Sequence, residues 1–292
     1  MNPPERRQRL FLSYLYVPGH QPERIARAYA SDAHAVILDL EDGVPEPRKA
    51  YARAMVSEMV AGTPLKPTYV RLNSMASGLC KDDVLAVAGA GLSGVRLPKV
   101  EHPDDVRQLE WLLQQAGSSA AIHLLLETAR ALELAYPLAT ASPVVEMLGL
   151  GETDLQVDLN SDLDGPTMDA CRTRVIMASR AAGLSSPCQS VFSDIRDLDN
   201  LLTSSVHGKR LGFVGRMAIH PAQIPIIHDV YTPKPNEVAE AQEICDAAAL
   251  AQAQNASIII TPNGRTVGPP MIAKARRTLE IAAGINSTEE SS

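Results

Sequence analysis

Short apolar runs recur along the chain and alternate with longer stretches in which apolar and polar residues mix at helical spacing. Short runs rich in Val, Ile and Leu are typical of buried β-strands, and the longer stretches are typical of amphipathic helices. One such helix, Pro22–Ala30, begins with Pro and Glu, as helix N-termini prefer. The predicted strands are Leu12–Val17, Ala35–Leu40, Thr68–Leu72, Gly94–Val100, Ile122–Glu127, Val144–Leu150, Gln189–Phe192 and Gly215–Ile219.

Eight successive strand–helix units predict an α/β fold of the (β/α)8 TIM-barrel type, because parallel strands connect through right-handed crossovers and eight of them can close. The alternative is an open doubly wound sheet, whose usual fingerprint is a Gly-rich GxGxxG turn after the first strand. In this chain the first strand runs into Val17-Pro18-Gly19-His20 instead. The pattern therefore favours the barrel, with residues 1–230 as a catalytic domain.

The chain continues past the eighth predicted strand for longer than one closing helix requires. The pattern there predicts a C-terminal helix–hairpin–helix extension over residues 231–292. Its parts are a helix, two short strands around an Asn-Gly turn and a last helix, at Pro235–Ala253, Ser257–Thr261, Arg265–Val267 and Lys274–Ala283. Because so short a segment has little core of its own to bury, we expect it to pack on a neighbouring subunit.

Composition narrows the class of protein. Hydrophobic residues make up 45% and charged residues 21% of the 292 positions, which is typical of a well-packed globular protein and excludes a disordered or fibrous chain. The formal net charge of −7 argues against a nucleic-acid or anionic-membrane partner. The four cysteines form no CxxC pair, the N-terminus lacks the apolar core of a signal peptide, and no apolar run reaches membrane-spanning length. We therefore expect a cytoplasmic protein.

Ionic residues follow the predicted strands, at the end where TIM-barrel enzymes carry their active sites. Glu127 and Asp154 follow neighbouring strands, and oxygen ligands without a nearby His or Cys favour Mg²⁺ over Zn²⁺. Mg²⁺ keeps positions for a substrate's carboxylate and carbonyl oxygens, and it polarises the carbonyl. Arg71 comes from the third strand, and its planar guanidinium suits a carboxylate.

Each of these residues also has a purely structural interpretation. A strand-end acid is often a helix cap or a solvated charge. Arg71 could pair with Glu41 or Asp42 without touching a ligand. Lys99 is compatible with a Schiff-base lysine or with a structural ion pair, and His220 with a residue that shapes a turn. The combination of acids at several strand ends with one arginine favours a functional site.

Several segments around the strand ends carry a family resemblance. They are Tyr16-Val17-Pro18-Gly19, Pro22-Glu23-Arg24-Ile25, Ala35–Asp42, Val70-Arg71-Leu72-Asn73, Leu97–Glu101, Leu126–Arg130, Gly151–Leu155 and Ala218–Gln223. On these segments the chain resembles the citrate lyase β-subunit-like family, which includes malyl-CoA lyases and belongs to the phosphoenolpyruvate/pyruvate barrel superfamily. The resemblance runs in order from about residue 11 to residue 284 and covers every predicted strand except the seventh.

The resemblance implies a Mg²⁺-dependent lyase that cleaves or forms a carbon–carbon bond, typically on a β-hydroxyacyl thioester of coenzyme A or of an acyl carrier protein. The other product or substrate is a 2-oxo acid such as glyoxylate or oxaloacetate. Glu127 and Asp154 match the family's metal ligands, and Arg71 matches its clamp on the substrate. Glu41 and Asp42 match the acidic pair beside the metal's waters. The resemblance also implies a homotrimer or hexamer whose C-terminal segment reaches a neighbour.

The chain departs from the family pattern at two positions where relatives meet the phosphates of coenzyme A. Leu12 stands where the family carries a basic residue before Ser13, and Gln21 stands where a basic residue often follows the Pro-Gly pair. Arg24 and Arg27 are the candidates to take over this cofactor-binding role.

Two further departures concern the chemistry. The family's Glu-Asp pair at the sixth strand is Thr153-Asp154 here, with an acid displaced to Glu152. Gly268 stands where thioester-active relatives carry an Asp that serves a neighbouring site as acid/base; losing such a group costs roughly 10²–10⁴ in rate. Two alternatives therefore remain beside the thioester lyase. One is a divergent 2-oxo-acid aldolase without CoA in a biosynthetic pathway, and the other is a weakened lyase subunit that works with an acyl carrier protein.

Overall fold

The computed structural model describes residues 11–254, 259–261 and 264–289. The chain divides into two compact units, one over Leu12–Val230 and the other over the residues from Tyr231 onward, together with Phe11. None of the helices in the described part of the chain combines the length and the apolar composition that a membrane span requires.

The first unit is built on one curled parallel sheet of seven strands, in the order β6-β5-β4-β3-β2-β1-β7. The strands are β1 Ser13–Pro18, β2 Ala35–Asp39, β3 Thr68–Arg71, β4 Leu92–Leu97, β5 Ala121–Leu126, β6 Val145–Leu150 and β7 Arg216–Ala218. Every strand pair is parallel, so the carboxyl ends of all strands lie at one edge. The register sets Arg71 of β3 between Asp39 of β2 and Arg96 of β4.

Helices connect successive strands, as the alternating pattern predicts. They are α1 Pro22–Ala30, α2 Lys49–Ala61, α3 Cys80–Val87, α4 Pro103–Gln115, α5 Ala129–Glu133, α6 Ala135–Ala139, α7 Glu152–Leu159, α8 Pro166–Ala181, α9 Leu198–Leu211 and α10 Ile224–Tyr231. Local signals set their starts: α4 begins after a capping box in which the His102 ring accepts the Asp104 N–H, and Thr128 caps α5 through the Ala131 N–H.

The predicted seventh strand, Gln189–Phe192, is not a strand. Gln189 makes a single parallel bridge to Arg216, and its N–H donates to the Gly215 carbonyl at 2.8 Å. On the other side the Ser190 hydroxyl donates to the Leu150 carbonyl at 2.6 Å, so a side-chain bond stands where a ladder would run. Because Gln189 is the residue of this run that bridges to β7 and Ser190 turns to Leu150, the run does not form a regular ladder. The predicted eighth strand is therefore β7.

Aromatic and ionic side chains pack inside the first unit among its aliphatic residues. Tyr69 stacks on His123 with ring centroids 4.5 Å apart, and the edge of Tyr14 meets Tyr69 at 5.4 Å. The His123 Nε2 lies 3.1 Å from a carboxylate oxygen of Glu146. Arg96 is among the largest fully buried side chains. Polar groups are thus embedded in the interior beneath the strand ends.

The second unit contains two helices and one antiparallel strand pair in its described part. The elements are α11 Pro235–Ala253, β8 Ile259–Ile260, β9 Thr266–Val267 and α12 Pro269–Glu289. Its core joins α11, β9 and α12 through Ala241, Ile244, Val267 and Ala275. The Asn263 of the predicted turn and the first residues of the predicted strand Ser257–Thr261 lie outside the described residues. Packing on a neighbouring subunit stays a prediction.

His34 gives the first unit a pH-dependent stability. The ring is 9% exposed, its Nδ1 accepts the Leu12 N–H at 3.1 Å, and it packs 4.4 Å from the His228 ring. Burial, with a smaller effect of His228, lowers the pKa of His34 to about 4. In the unfolded chain the pKa is about 6.5, so below that pH the unfolded state takes up a proton that the folded state excludes. Stability is therefore complete above pH 6.5 and falls towards pH 4.

We expect this linkage to contribute about 2 kcal/mol to the loss in unfolding free energy between pH 7.5 and pH 5. Urea unfolding of the wild type and of His34→Gln at both pH values measures it, because Gln keeps an acceptor but does not titrate. The matched control is His102→Gln, whose side chain is exposed. An equal loss in wild type and His34→Gln would contradict the assignment.

Candidate active site

A cavity of about 980 Å³ opens at the carboxyl ends of the strands in the first unit. Six of the seven site residues predicted from the sequence line it: Arg24, Arg27, Asp42, Arg71, Glu127 and Asp154. The seventh, Glu41, is buried and forms ion pairs with Arg71 and Lys99. The fold thus brings together side chains from α1, the ends of β2, β3 and β5, and the start of α7.

Arg71 is held by two carboxylates from the end of β2. Its Nε and Nη2 donate to the two oxygens of Asp39 at 2.7 and 2.6 Å, and its Nη1 lies 3.0 Å from Glu41 Oε2. Asp39 also accepts the backbone N–H groups of Glu41 and Gly43, so its oxygens are fully engaged. Burial alone would lower the pKa of Arg71, but Asp39 and Glu41 outweigh it and raise that pKa. The guanidinium is therefore charged and fixed in orientation.

Lys99 closes the same network from a position two residues after the end of β4. Its Nζ lies 2.7 Å from Glu41 Oε1 and 3.2 Å from Asp42 Oδ1. Burial would lower the pKa of Lys99, but Glu41 and Asp42 together raise it. A Schiff-base lysine needs a neutral amine at working pH, so the structure supports the ion-pair interpretation of Lys99. Asp42 pairs with Lys99 and not with Arg71.

The backbone of Lys99 also positions Glu127. Lys99 has a positive φ of 50°, a conformation that is uncommon for a residue with a side chain, and its N–H donates to Glu127 Oε2 at 2.7 Å. Gly151 leaves room for this carboxylate, since a Cβ there would lie 2.6 Å from Glu127 Oε1. Burial raises the pKa of Glu127 to about 7, and the negative charges of Glu41 and Asp154 add to that shift.

Glu127 and Asp154 form a donor set that fits a hard divalent cation. Asp154 is exposed in the first turn of α7, close enough for its charge to raise the pKa of the buried Glu127. A cation between them would relieve that repulsion. Within the described residues, no group of three or more His, Cys, Asp or Glu side chains is arranged for a metal. Two carboxylates suit Mg²⁺, which keeps several waters or substrate oxygens, and do not suit a closed zinc site.

Arg24 and Arg27 of α1 also line the cavity. Both are exposed on α1, three residues apart and therefore on one face of the helix. Arg27 makes one ion pair with the other described residues, a long and solvent-exposed one with Glu23 at 3.6 Å, which contributes little. Both guanidiniums are thus available to an anion that enters the cavity.

Three arginines of the lining were not predicted from the sequence: Arg96, Arg172 and Arg216. Arg172 of α8 grips Glu152 with bonds of 3.1 and 2.6 Å, which neutralises this displaced acid. Arg216 of β7 donates to the Ser190 carbonyl at 3.1 Å. The available signal was an arginine inside an otherwise apolar strand run, as in Arg96 and Arg216.

His220 has the structural role that its sequence context allows. Its Nδ1 accepts the Ala222 N–H at 3.2 Å and caps the short 3-10 helix Pro221–Gln223. Gln223 in turn accepts from the Ile219 and His220 N–H groups. His220 also lines the cavity, but its ring nitrogen is engaged in the turn.

A family model described as HpcH/HpaI aldolase/citrate lyase matches residues 12–221, which is most of the chain. The chain belongs to this family. Citrate lyase subunit beta of Escherichia coli (strain K12) is 31% identical over 293 residues, covering 95% of this chain and 95% of that protein. The mitochondrial citramalyl-CoA lyase of Homo sapiens is 27% identical over 291 residues, covering 93% of this chain and 85% of that protein.

A solved structure extends the comparison. The protein CitE from Mycobacterium tuberculosis, in complex with magnesium, acetoacetate and coenzyme A, superposes with a TM-score of 0.73 at 29% identity. It covers 94% of this chain and 98% of that chain. Membership of the HpcH/HpaI aldolase/citrate lyase family confirms the resemblance found at the strand ends and the prediction of an enzyme of the lyase class. The magnesium in this relative agrees with the predicted cofactor.

Proposed function

We propose that this chain is a Mg²⁺-dependent carbon–carbon lyase that acts on a hydroxy acid or its acyl thioester and releases or captures a 2-oxo acid such as glyoxylate or oxaloacetate. The observation that carries the proposal is the buried carboxylate of Glu127, which faces the charge of Asp154 in the cavity that Arg71 also lines. The magnesium-bound relative supports the choice of metal.

Glu127 and Asp154 are the residues that would hold the ion. When bound, Mg²⁺ supplies Lewis-acid polarisation of the substrate carbonyl and stabilises the enolate that carbon–carbon cleavage leaves behind. Lys99 fixes the Glu127 carboxylate through its backbone N–H, so the ligand requires no reorganisation when the ion arrives. Gly151 keeps the space that this orientation needs.

Arg71 binds and orients the carboxylate of the 2-oxo acid. Asp39 and Glu41 hold its guanidinium in one plane, so the bound substrate meets a donor that is already in place. Arg71, Asp39 and Glu41 together carry one net negative charge, and Lys99 compensates that charge. The substrate carboxylate can therefore bind beside the Arg71 guanidinium without meeting an uncompensated negative charge of this network.

Coenzyme A is the acyl carrier that we propose for this chain. Arg24 and Arg27 present two exposed guanidiniums on one helix face, which suits a chain of phosphates. The relatives named as citramalyl-CoA lyase and as a coenzyme A complex support this part of the proposal. An acyl carrier protein would present the same thioester on a phosphopantetheine arm.

Gly268 favours a second candidate, an aldolase that acts on free 2-oxo acids. Within the part of the chain that the structure describes, a Cβ at Gly268 would meet only the Pro270 Cδ, at 3.8 Å, so the backbone leaves room for the acidic side chain that thioester-active relatives carry. The chain therefore lacks that carboxylate without having filled its place. An aldolase that needs no such proton donor is compatible with this difference.

A cleavage assay with malyl-CoA, citramalyl-CoA and citryl-CoA, which would release glyoxylate, pyruvate and oxaloacetate, separates the two functions. For the thioester lyase we expect release of a 2-oxo acid that stops in EDTA and returns with MgCl₂. Arg24→Ala together with Arg27→Ala should raise the KM for the thioesters by roughly 3- to 30-fold, because two exposed charge contacts to phosphate are lost, and should leave the Mg²⁺ requirement unchanged.

The same assay on free malate and citramalate, and on 2-oxo acids with aldehydes, is the matched comparison. Equal or better turnover of the free acids would establish the aldolase in place of the thioester lyase. Turnover only after addition of an acyl carrier protein that co-purifies with the chain would establish the carrier-dependent subunit. Cleavage that is indifferent to EDTA would contradict both metal-dependent candidates.

A further inference from the structure

Arg96 of β4 is a buried cation that the functional assignment does not use. It is 1% exposed and lines the cavity, and among the described residues its Nε and Nη1 have no hydrogen-bond partner. No carboxylate of the described residues forms an ion pair with it. Buried guanidinium groups are almost always paired, since burying an unpaired charge is costly.

The neighbouring charges are already committed to other partners. Arg71 is the strand partner of Arg96 in the β3–β4 register, and it takes both Asp39 and Glu41. The two guanidinium groups are therefore neighbours, and among the described residues Arg71 has carboxylate partners whereas Arg96 does not. The Tyr16 ring lies 5.2 Å from the Arg71 guanidinium and 6.0 Å from that of Arg96, so both arginines border the same part of the cavity. A cation–π contact at this distance compensates only part of the cost of burial.

The backbone opposite makes room for this guanidinium. Gly149 of β6 faces Arg96, and a Cβ at Gly149 would collide with the Arg96 Nη2. Glycine inside a strand weakens the strand, so its presence often marks a close approach of another group. Gly149 on β6 thus provides the space that the Arg96 guanidinium occupies beside the cavity.

We propose that Arg96 binds a second carboxylate of the substrate and makes this chain selective for dicarboxylic 2-oxo acids. The proposal rests on the proposed function for the identity of the first carboxylate and the carbonyl. What it adds is a contact that determines specificity: the carboxylate at the far end of the substrate forms an ion pair with Arg96. A monocarboxylic 2-oxo acid would leave the buried guanidinium without a partner. Its binding free energy would therefore be less favourable than that of a dicarboxylic acid.

A matched pair of ligands tests the contact. Oxaloacetate and 2-oxobutanoate have chains of the same length and differ by a carboxylate in place of a methyl group. Calorimetric titration of the Mg²⁺-loaded protein should give an affinity for oxaloacetate about 10- to 100-fold above that for 2-oxobutanoate. In Arg96→Met this ratio should fall to about one, while the affinity for 2-oxobutanoate stays within a few-fold of wild type.

Two further variants separate charge from fold. Gly149→Ala keeps the guanidinium but displaces it, so we expect the ratio to fall there as well. Arg107→Met removes an exposed arginine of α4 and should leave the ratio unchanged. Thermal unfolding without ligand should show Arg96→Met to be at least as stable as wild type, because the variant removes an unpaired buried charge.

The outcomes distinguish this inference from the proposed function. A preference for oxaloacetate that survives Arg96→Met, or no preference in wild type, would overturn the role of Arg96 and leave the Mg²⁺ lyase intact. Titration of EDTA-treated protein with succinate and with butanoate gives a readout without metal. A preference for succinate over butanoate that disappears in Arg96→Met would support the role of Arg96. If Mg²⁺-dependent binding of 2-oxo acids is absent in the same protein, that result would overturn the proposed function alone.

Discussion

Glu127→Gln is expected to lower Mg²⁺-dependent cleavage by about 10³-fold, which corresponds to a loss of about 4 kcal/mol of transition-state stabilisation. The amide keeps the size of the side chain and an oxygen for the Lys99 N–H, which lies 2.7 Å from Glu127 Oε2 in the wild type. It removes the negative charge that the cation requires. Steady-state kinetics across a range of MgCl₂, with a direct Mn²⁺-binding measurement, would show both effects.

The matched control for this substitution is Glu133→Gln. Glu133 is exposed on α5, which follows the same strand, and it lies outside the cavity lining. Its substitution should leave turnover and metal affinity within a factor of two. Unchanged turnover in Glu127→Gln would refute the metal-ligand assignment. Lost turnover with unchanged Mn²⁺ affinity would instead place Glu127 in a role other than metal binding.

Arg71→Met is expected to affect both stability and activity. It leaves the buried Asp39 without a cationic partner and the buried Glu41 with Lys99 alone, and breaking a buried ion pair in this way costs about 3–5 kcal/mol. Cleavage should also fall by about 10²–10³-fold, because a positioned donor to the substrate is lost. Urea unfolding and kcat/KM measure the two effects separately.

Two companion variants separate these contributions. Glu41→Gln combined with Arg71→Met should recover part of the stability, since one of the two buried negative charges left at this site is removed, without recovering activity. Arg71→Lys keeps the charge but cannot form the planar fork on Asp39, so we expect intermediate stability and low activity. Wild-type kcat/KM in Arg71→Lys would show that only the charge matters.

Much of the fold was predictable because its signals are local. Buried strands such as Ala35–Asp39 are continuous apolar runs, and helix starts such as the capping box of α4 are encoded within a few residues. The rule that parallel strands expose their carboxyl ends at one edge then selected Arg71, Glu127 and Asp154 from many ionic residues. The prediction of a strand at Gln189–Phe192 was wrong because a hydrogen bond from the Ser190 hydroxyl to the Leu150 carbonyl replaces the backbone hydrogen bonds of a strand pair. The spacing of apolar residues does not reveal such a bond.

The pairing of charges was decided by strand register and depth. In the sequence Arg71 has Glu41 and Asp42 as equally plausible partners, whereas the β2–β3 register sets it opposite Asp39 and leaves Asp42 to Lys99. The same register makes Arg96 its neighbour, but nothing local in the sequence shows that Arg96 is buried without a carboxylate.

By itself, the sequence determined the family, the succession of strands and helices, and the ionic residues that gather at one end of the sheet. The tertiary structure alone decided which of those residues are buried, which are paired, and that the pKa of Glu127 rises to about 7. The physical reason is that periodicity and turn chemistry act over a few residues. Desolvation and ion pairing instead depend on distances between strands that are far apart in the chain.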